Sequence, residues 1–498
     1  MLALLVLTFT SCQKDKVVAT SFTATLEDCQ DDECKTAFTN GTMQWMSGDQ
    51  IMVYGTNEWC VYQATLHDGG RITFNAVSED AGEAPYRAVY PASASICADS
   101  VELPDVQVTE DGSLTGFPMY AESNGTNLNF KNLCGVLRMR LQKSGVSVTA
   151  IEVTGDIEVT GDYKVYYNSG EPVLKYSGHG TKTTMMTCRT VQSIANQKDF
   201  YIFLPVHTYG AGMRIRIYSS DGKVCTKTVT AGHSVNIQRG KITTITLRDN
   251  SLTFASNAGT LPGLFTIDDQ GHQVRFSQGN LQYSNAFNIW RFSPEQYEYM
   301  GYDQMYRCYY DGTYPKWIDL FGWGTGINPM LFPEDMNDYQ TFVDWGTNVI
   351  SNGGGQPNTW RTLSQSEWEY MLNHHQYGVG NVDGIGGVIV LPDSWVLPAG
   401  CSFMVGETDE SDDDWSYNSF TLPQWAQMEA AGALFLPAAG FRLGTEVRDV
   451  SESGLYWSST PCFESNAFSA IFLSYNFHWT ECNTRYVGSS VRPVRDNY

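Results

Sequence analysis

Between Thr20 and about Leu247 the chain is a succession of short runs in which apolar and polar residues alternate. Leu137-Arg138-Met139-Arg140-Leu141 and Met213-Arg214-Ile215-Arg216-Ile217 are two of them. A period of two belongs to a strand with one buried and one solvated face. Asn40-Gly41, Asp68-Gly69, Asp111-Gly112, Asn124-Gly125 and Asp221-Gly222 punctuate the runs, and such dipeptides supply the positive φ that tight hairpins need. No sustained helical period interrupts them. Short strands at this spacing predict β-sandwiches. A break near Gln142 to Val146 divides them into one unit over residues 20–142 and another over 143–249. Residues 250–262, small and mostly polar, read as a linker.

The pattern then changes. Of the 13 tryptophans only Trp45 and Trp59 precede the linker, so residues 263–498 stand apart as a third unit. Leu264 to Ile267 and Val274 to Tyr283 predict a strand, a turn and a strand. Ser364-Gln365-Ser366-Glu367 is a capping box, the serine accepting a backbone N–H while the glutamate reaches back to cap. Trp368, Met371 and Leu372 give the helix that follows an apolar face. A second helix is predicted from about Leu422 to Ala431, with Pro423 tolerated in its first turn.

Charge narrows the partners. The net charge is −23 and the pI about 4.6 over 498 residues, which argues against nucleic acid and against direct binding to anionic membranes, since both need a basic footprint. The apolar run MLALLVLTFTSC is too short to span a bilayer and reads as the core of a secretory signal. Its Phe9-Thr10-Ser11-Cys12 ending resembles a bacterial lipoprotein cleavage box. That resemblance implies lipidation of Cys12, a signal and tether over residues 1–19, and an outer-membrane or cell-surface destination. The alternative is an ordinary signal peptide with a coincidental cysteine. Twelve cysteines in an exported chain invite a disulfide framework. Cys29 and Cys34 are close enough for a local bridge, but the rest are scattered without a CxxC pair, and mostly free, buried thiols are expected.

Two resemblances extend this reading. Trp45-Met46-Ser47-Gly48-Asp49-Gln50-Ile51, then Tyr86 to Pro91, Phe200-Tyr201-Ile202-Phe203-Leu204-Pro205 and Arg239-Gly240-Lys241-Ile242 resemble, in order, the motifs of the fimbrillin family, the two-sandwich pilins of type V pili. The resemblance covers about half the chain. It implies association with other pilus subunits by strand donation into a sheet edge. A large extra C-terminal unit favours a tip position over a shaft position. Unrelated adhesive sandwiches on a lipoprotein are the alternative. WRTLSQSEWEYML, LFLPAAGFR, GLYWSST and SVRPVRD resemble the C-type lectin-like fold, in the branch shared by formylglycine-generating enzymes and the variable proteins of diversity-generating retroelements. The expected fold class is therefore mostly β: two tandem fimbrillin-like β-sandwiches followed by an α+β C-type lectin-like domain.

In the retroelement branch the last strands and loops are diversified at template adenines, which makes Lys, Met, Gln, Glu and Trp unreachable. Residues 461–489 contain no Lys, Met or Gln, and only Glu464, Trp479 and Glu481 break the restriction. The resemblance implies that Cys462, Phe463, Ser465, Phe468, Tyr475, Asn476, His478, Thr480, Cys482, Thr484, Val487 and Ser489 form a variable ligand-binding surface. It also implies that YWSST and SVRPV are its constant frame. Cys462 and Cys482 are then varied positions rather than bridge partners. From the residues themselves, Ala467 to Phe477 is strand-like, with alternate side chains outward. Exposed aromatics among Ser and Asn resemble a paratope. Phe472, inside an apolar run, belongs to the core.

Other chemistry finds little support. Cys462 and Cys482 are the only late candidates for the oxidase chemistry of the formylglycine branch and lack its motif; fold alone does not confer activity. His374-His375 is adjacent without an HExxH pattern. The acidic run Glu407 to Asp414 offers oxygens for calcium but no EF-hand spacing, and charge runs are usually solvated. No enzyme activity, metal or cofactor is implied. The functional expectation is a surface adhesin with an unknown protein or glycan ligand. The alternative is a non-polymerising surface lipoprotein that captures one fixed ligand.

Overall fold

A computed structural model describes residues 20–27, 45–57, 59–67, 72–77, 79–110, 113–114, 116–178, 180–255, 259–285, 287–300, 317–330, 341–406, 415–444, 446–475 and 477–497. Cys12, Cys29, Cys34, Asn476, the acidic run at 407–414 and the turns at 40–41, 68–69 and 111–112 lie outside them, as does the His478 side chain. The described residues are mostly strand, and none of their helices is long and apolar enough to cross a membrane.

The first stretch holds β1 (Ser21–Leu26), β2 (Gln50–Tyr54), β3 (Cys60–Leu66), β4 (Ile72–Ala76), β5 (Tyr86–Tyr90), β6 (Ser95–Cys97), β7 (Ser100–Leu103), β8 (Val106–Glu110), β9 (Ser113–Leu114), β10 (Met119–Ser123) and β11 (Asn127–Asn132). Seven of these close a barrel in the order β1-β11-β10-β5-β2-β3-β4, where a β-sandwich was expected. Closure comes from β1, which pairs parallel with β11 and antiparallel with β4. Alternation turns Phe22, Ile51, Val53, Tyr62, Phe74 and Phe130 into its core. Trp45 meets Phe74, Tyr90 and Phe130 edge-on at 4.9, 5.0 and 5.3 Å.

The middle stretch holds β12 (Gly135–Gln142), β13 (Ser147–Thr154), β14 (Gly161–Asn168), β15 (Glu171–Gly178), β16 (Thr183–Ser193), β17 (Lys198–Leu204), β18 (His207–Tyr209), β19 (Arg214–Ser219), β20 (Val224–Thr228), β21 (Val235–Ile237) and β22 (Ile242–Arg248). The sheet β17-β12-β22 is a wall shared by two cores. Leu137, Met139, Leu141, Phe200 and Ile202 face the second core, while Val136, Tyr201, Phe203 and Ile242 face the first. Strand pairing therefore crosses the expected division at 142/143. β7 pairs with β14, and β8 runs parallel to β16 in the sheet β20-β19-β13-β16-β8-β9.

The shared wall also corrects the expectation of one solvated face. Arg138 is buried, its Nε donating to Thr244 Oγ1 at 2.9 Å. The other face of β19 is covered by the C-terminal unit: Arg214 pairs with Glu295, and Arg216 pairs with Glu152 at 2.6 Å and reaches the Pro294 carbonyl. The described residues of the stretch 250–262 are packed rather than free. Leu252 is buried in the second core, Ala255 bridges Val224, and Leu261 enters the C-terminal core.

That unit holds β23 (Phe265–Thr266), β24 (Gln273–Phe276), β25 (Leu281–Ser284), β26 (Ile289–Phe292), β27 (Trp317–Ile318), α1 (Gln365–His374), β28 (Tyr377–Val382), β29 (Ile385–Val390), β30 (Ser419–Phe420), α2 (Leu422–Ala430), β31 (Leu434–Pro437), β32 (Phe441–Leu443), β33 (Glu446–Arg448), β34 (Ser453–Cys462), β35 (Asn466–Leu473), β36 (Phe477–Thr484) and β37 (Val494–Asp496). Its sheets are short, joined by long loops. Ser364 caps α1 with Glu367 reaching back, and Trp368, Met371 and Leu372 are its buried face. β37 pairs with β24, returning the chain end to the start of the unit. Arg361 locks this closure by holding Glu367 at 2.7 Å and Asp496 at 2.9 Å.

Candidate functional site

The sheet β34-β35-β36 stands on a buried frame. Tyr456 OH donates to the Pro437 carbonyl at 3.0 Å, and Trp457 Nε1 to the Phe321 carbonyl at 2.7 Å. Trp323 Nε1 donates to the Ser458 carbonyl at 2.8 Å. On the closing segment Arg492, fully enclosed, donates to Gln296 Oε1 at 2.8 Å and Asn280 Oδ1 at 3.2 Å. Burial holds its guanidinium down at about 10. Arg442 donates to the Leu320 and Gly444 carbonyls and lies against Gly488. Buried hydrogen bonds of this kind fix a sheet's orientation because any other arrangement leaves polar groups unpaired.

The sheet's outer features rest on that frame. Phe463 sits at the tip of the β34–β35 turn, 84% exposed and at φ +50°. Ser465 beside it is exposed, and Phe468, Tyr475 and Thr484 are half-buried. Thr480 donates to Glu369 Oε1 of α1 at 2.6 Å. Phe472 is core. A register shift between Ser469 and Ile471 changes which side chains face outward: Phe468 before it, then Ile471, Leu473 and Tyr475 after it.

Four of the expected surface positions are reassigned. Cys462 and Cys482 form a disulfide with Cα atoms 5.9 Å apart, so they are bridge partners after all. Both lie next to β35, Cys462 opposite Asn466 and Cys482 opposite Phe468, which brings the two outer strands together at the sheet's end. Val487 is buried among Leu455, Trp457 and Val491, and Ser489 is fully buried, bridging Phe321. Their chain turns inward after β36, so position in the segment does not confer exposure.

Sequence reasoning missed Arg485. Its guanidinium lies 4.5 Å over the Trp323 ring, while Nη2 donates to the Phe463 carbonyl at 3.2 Å and Nε to the Asn466 carbonyl at 3.1 Å. It clamps the exposed turn from below, and a lone arginine between Thr484 and Tyr486 carries no motif that could have announced this. Glu369 also borders a cavity of about 800 Å³ lined by Asp268, Asp269, Asp344, Arg361 and Glu367. Among the described residues no group of His, Cys, Asp and Glu is arranged to hold a metal. His375 is engaged instead with the Leu391 and Thr266 carbonyls. Of the described cysteines outside the Cys462–Cys482 bridge, Cys60, Cys134 and Cys225 are buried and Cys97 is exposed. Burial raises the Cys134 thiol.

No protein-family model matches the chain, and no curated protein matches it. Solved structures give distant likenesses. A candidate cell adhesion protein from Bacteroides ovatus shares 11% identity over 47% of this chain and 94% of its own, with a TM-score of 0.31. A fimbrial protein from the same organism shares 10% over 96% of this chain and 100% of its own, with a TM-score of 0.23. The tip fimbrial protein Mfa3 from Porphyromonas gingivalis, truncated at its C-terminus, shares 13% over 41% of this chain and 91% of its own, with a TM-score of 0.21. Likenesses this distant establish no function for the chain.

Proposed function

We propose that this chain is a cell-surface adhesin whose ligand-binding face is the sheet β34-β35-β36. The observation that carries the reading is Phe463, a large apolar side chain 84% exposed on a turn that a disulfide closes and Arg485 clamps. An exposed aromatic on a preorganised turn loses little conformational freedom on binding, which is what a contact anchor requires. Half-buried Phe468 and Tyr475 with Ser465 and Thr484 extend the face with apolar area and hydroxyls.

The finer reading rests on the sequence resemblances. It is a lipoprotein anchored through Cys12, with fimbrillin-like units that join other pilus subunits by strand exchange. Its C-type lectin-like unit is diversified by a retroelement and presented at a pilus tip to a protein or glycan ligand.

The test replaces Phe463, Ser465, Phe468, Tyr475 and Thr484 together with residues from another variable sequence, leaving Cys462, Cys482, Val487 and Ser489 in place. Binding of the purified chain to glycan arrays and to a panel of intact cells is then compared, with circular dichroism as the folding control. The expected result is an altered binding profile with unchanged melting. An unchanged profile, or loss of folding, removes the face as the binding site. Sequencing residues 461–489 across isolates tests diversification, and co-purification with sheared pili tests tip assembly.

A further inference from the structure

A second concave site lies away from the display face, between the sheet of β13 and β19 and the C-terminal unit. It is a cleft of about 930 Å³. Arg291, on β26, lines it and is 2% exposed. Its Nε donates to Gln282 Oε1 at 2.8 Å, and its guanidinium lies 3.7 Å over the Trp317 ring. Among the described residues its Nη1 has no hydrogen-bond partner. A buried, unpaired donor of a charged group is costly unless something fills the position. Glu298 lines the same cleft and forms no ion pair among the described residues. Burial, then the neighbouring Glu295, pushes its carboxyl up to about 8, so near neutral pH it can both donate and accept. Tyr297 and Trp425 supply ring surface to the wall.

The charges choose the ligand class. With Glu298 protonated, five carboxylates still outnumber the three basic lining side chains. That surplus repels carboxylates and phosphates, while Arg291 demands an acceptor and disfavours a cation beside it. An uncharged hydroxyl meets both conditions: it accepts from Arg291 and exchanges a hydrogen bond with Glu298. We propose that this cleft binds a neutral saccharide unit, held by Arg291 and Glu298 through its hydroxyls and by Tyr297 through its apolar face. The site is separate from the sheet β34-β35-β36 and does not depend on the function proposed for that sheet.

Saturation-transfer NMR on the full chain tests this, with D-glucose, D-galactose, D-mannose and N-acetyl-D-glucosamine as neutral probes. N-acetylneuraminic acid and D-glucosamine are the charged ones. At least one neutral sugar is expected to receive saturation, and the charged ones at least fivefold less. The signal should survive Phe463→Ala, fall at least fivefold in Glu298→Leu, and stay within twofold in Glu298→Gln, which keeps an uncharged donor and acceptor. Arg291→Met should abolish it; if that variant does not fold, the Glu298 pair decides alone. No transfer to any neutral sugar, preference for a charged one, or equal signals in Glu298→Leu and Glu298→Gln would overturn the proposal.

Discussion

The Cys462–Cys482 bridge gives the sharpest test of the display face. It joins β34 to β36 with a sequence separation of 20, enclosing the exposed turn and all of β35. Chain-entropy reasoning assigns about 3 kcal/mol to a loop of that length. Global melting of a chain with several cores is a poor reporter, because its units need not unfold together. The local consequence is better defined. β36 is the outer strand of its sheet, so its amides exchange through local opening, and the bridge raises the cost of that opening. A change of about 3 kcal/mol corresponds to exchange faster by about 100-fold. Hydrogen-exchange mass spectrometry on the Cys462→Ala, Cys482→Ala double variant should show this acceleration in peptides covering 463–484. Peptides of the β1-to-β5 barrel should be unchanged. Reducing the wild-type chain should reproduce the effect. Exchange within twofold of wild type, or two additional titratable thiols in the protein purified without reductant, would refute the assignment of the bridge as the clamp of this face.

Four further outcomes follow from the same geometry. Phe463→Ala should change stability by less than about 0.5 kcal/mol in chemical denaturation, as expected for an exposed side chain, while weakening adhesion. Gly488→Ala would put a Cβ 2.6 Å from Arg442 Nε, and since that guanidinium is held by two carbonyls, a loss of about 2 kcal/mol is expected in the same assay. Glu367→Ala removes the reciprocal cap of α1 and one partner of Arg361, costing about 1 kcal/mol. Asp319 is fully buried, accepts from the Met300 N–H at 2.6 Å through one oxygen and has no partner for the other among the described residues. Burial pushes its carboxyl up to about 7. The folded chain keeps a proton that the unfolded chain releases near its ordinary value of about 4. This contribution to stability is therefore full below about pH 4, falls as pH rises through about 7, and is flat beyond. Asp319→Asn should remove that fall, so urea midpoints at pH 5 and pH 8 should lie closer together than in wild type.

Local signals were legible where one short stretch carried the whole instruction. The capping box at Ser364 and Glu367 starts α1 where the spacing demands. Asn124-Gly125 and Asp221-Gly222 join β10 to β11 and β19 to β20. Phe472, inside an apolar strand run, is core. What stayed hidden depended on partners distant in sequence. The alternation in β12 is that of a strand with one wet face, yet Arg138 is enclosed because a second core lies behind it. No feature of residues 137–141 says that a barrel will close on their other side.

The same distinction governs the candidate face. The resemblance marked out the segment, but exposure within it is set by three non-local facts: a register shift in β35, a disulfide to a strand two places away, and an inward turn after Thr484. Each redistributes residues between face and frame without leaving a trace in the local pattern. Val487 and Ser489 were drawn to the surface by their neighbours in sequence and belong to the frame by their neighbours in space. Arg485 is the converse, a residue with no local signal that determines the shape of the exposed turn because Trp323 and two carbonyls converge on it. A surface that varies must be separable from the contacts that hold it. Phe463 meets that condition, with its side chain outside and its backbone carbonyl fixed by Arg485, so its side chain can change while the turn keeps its place.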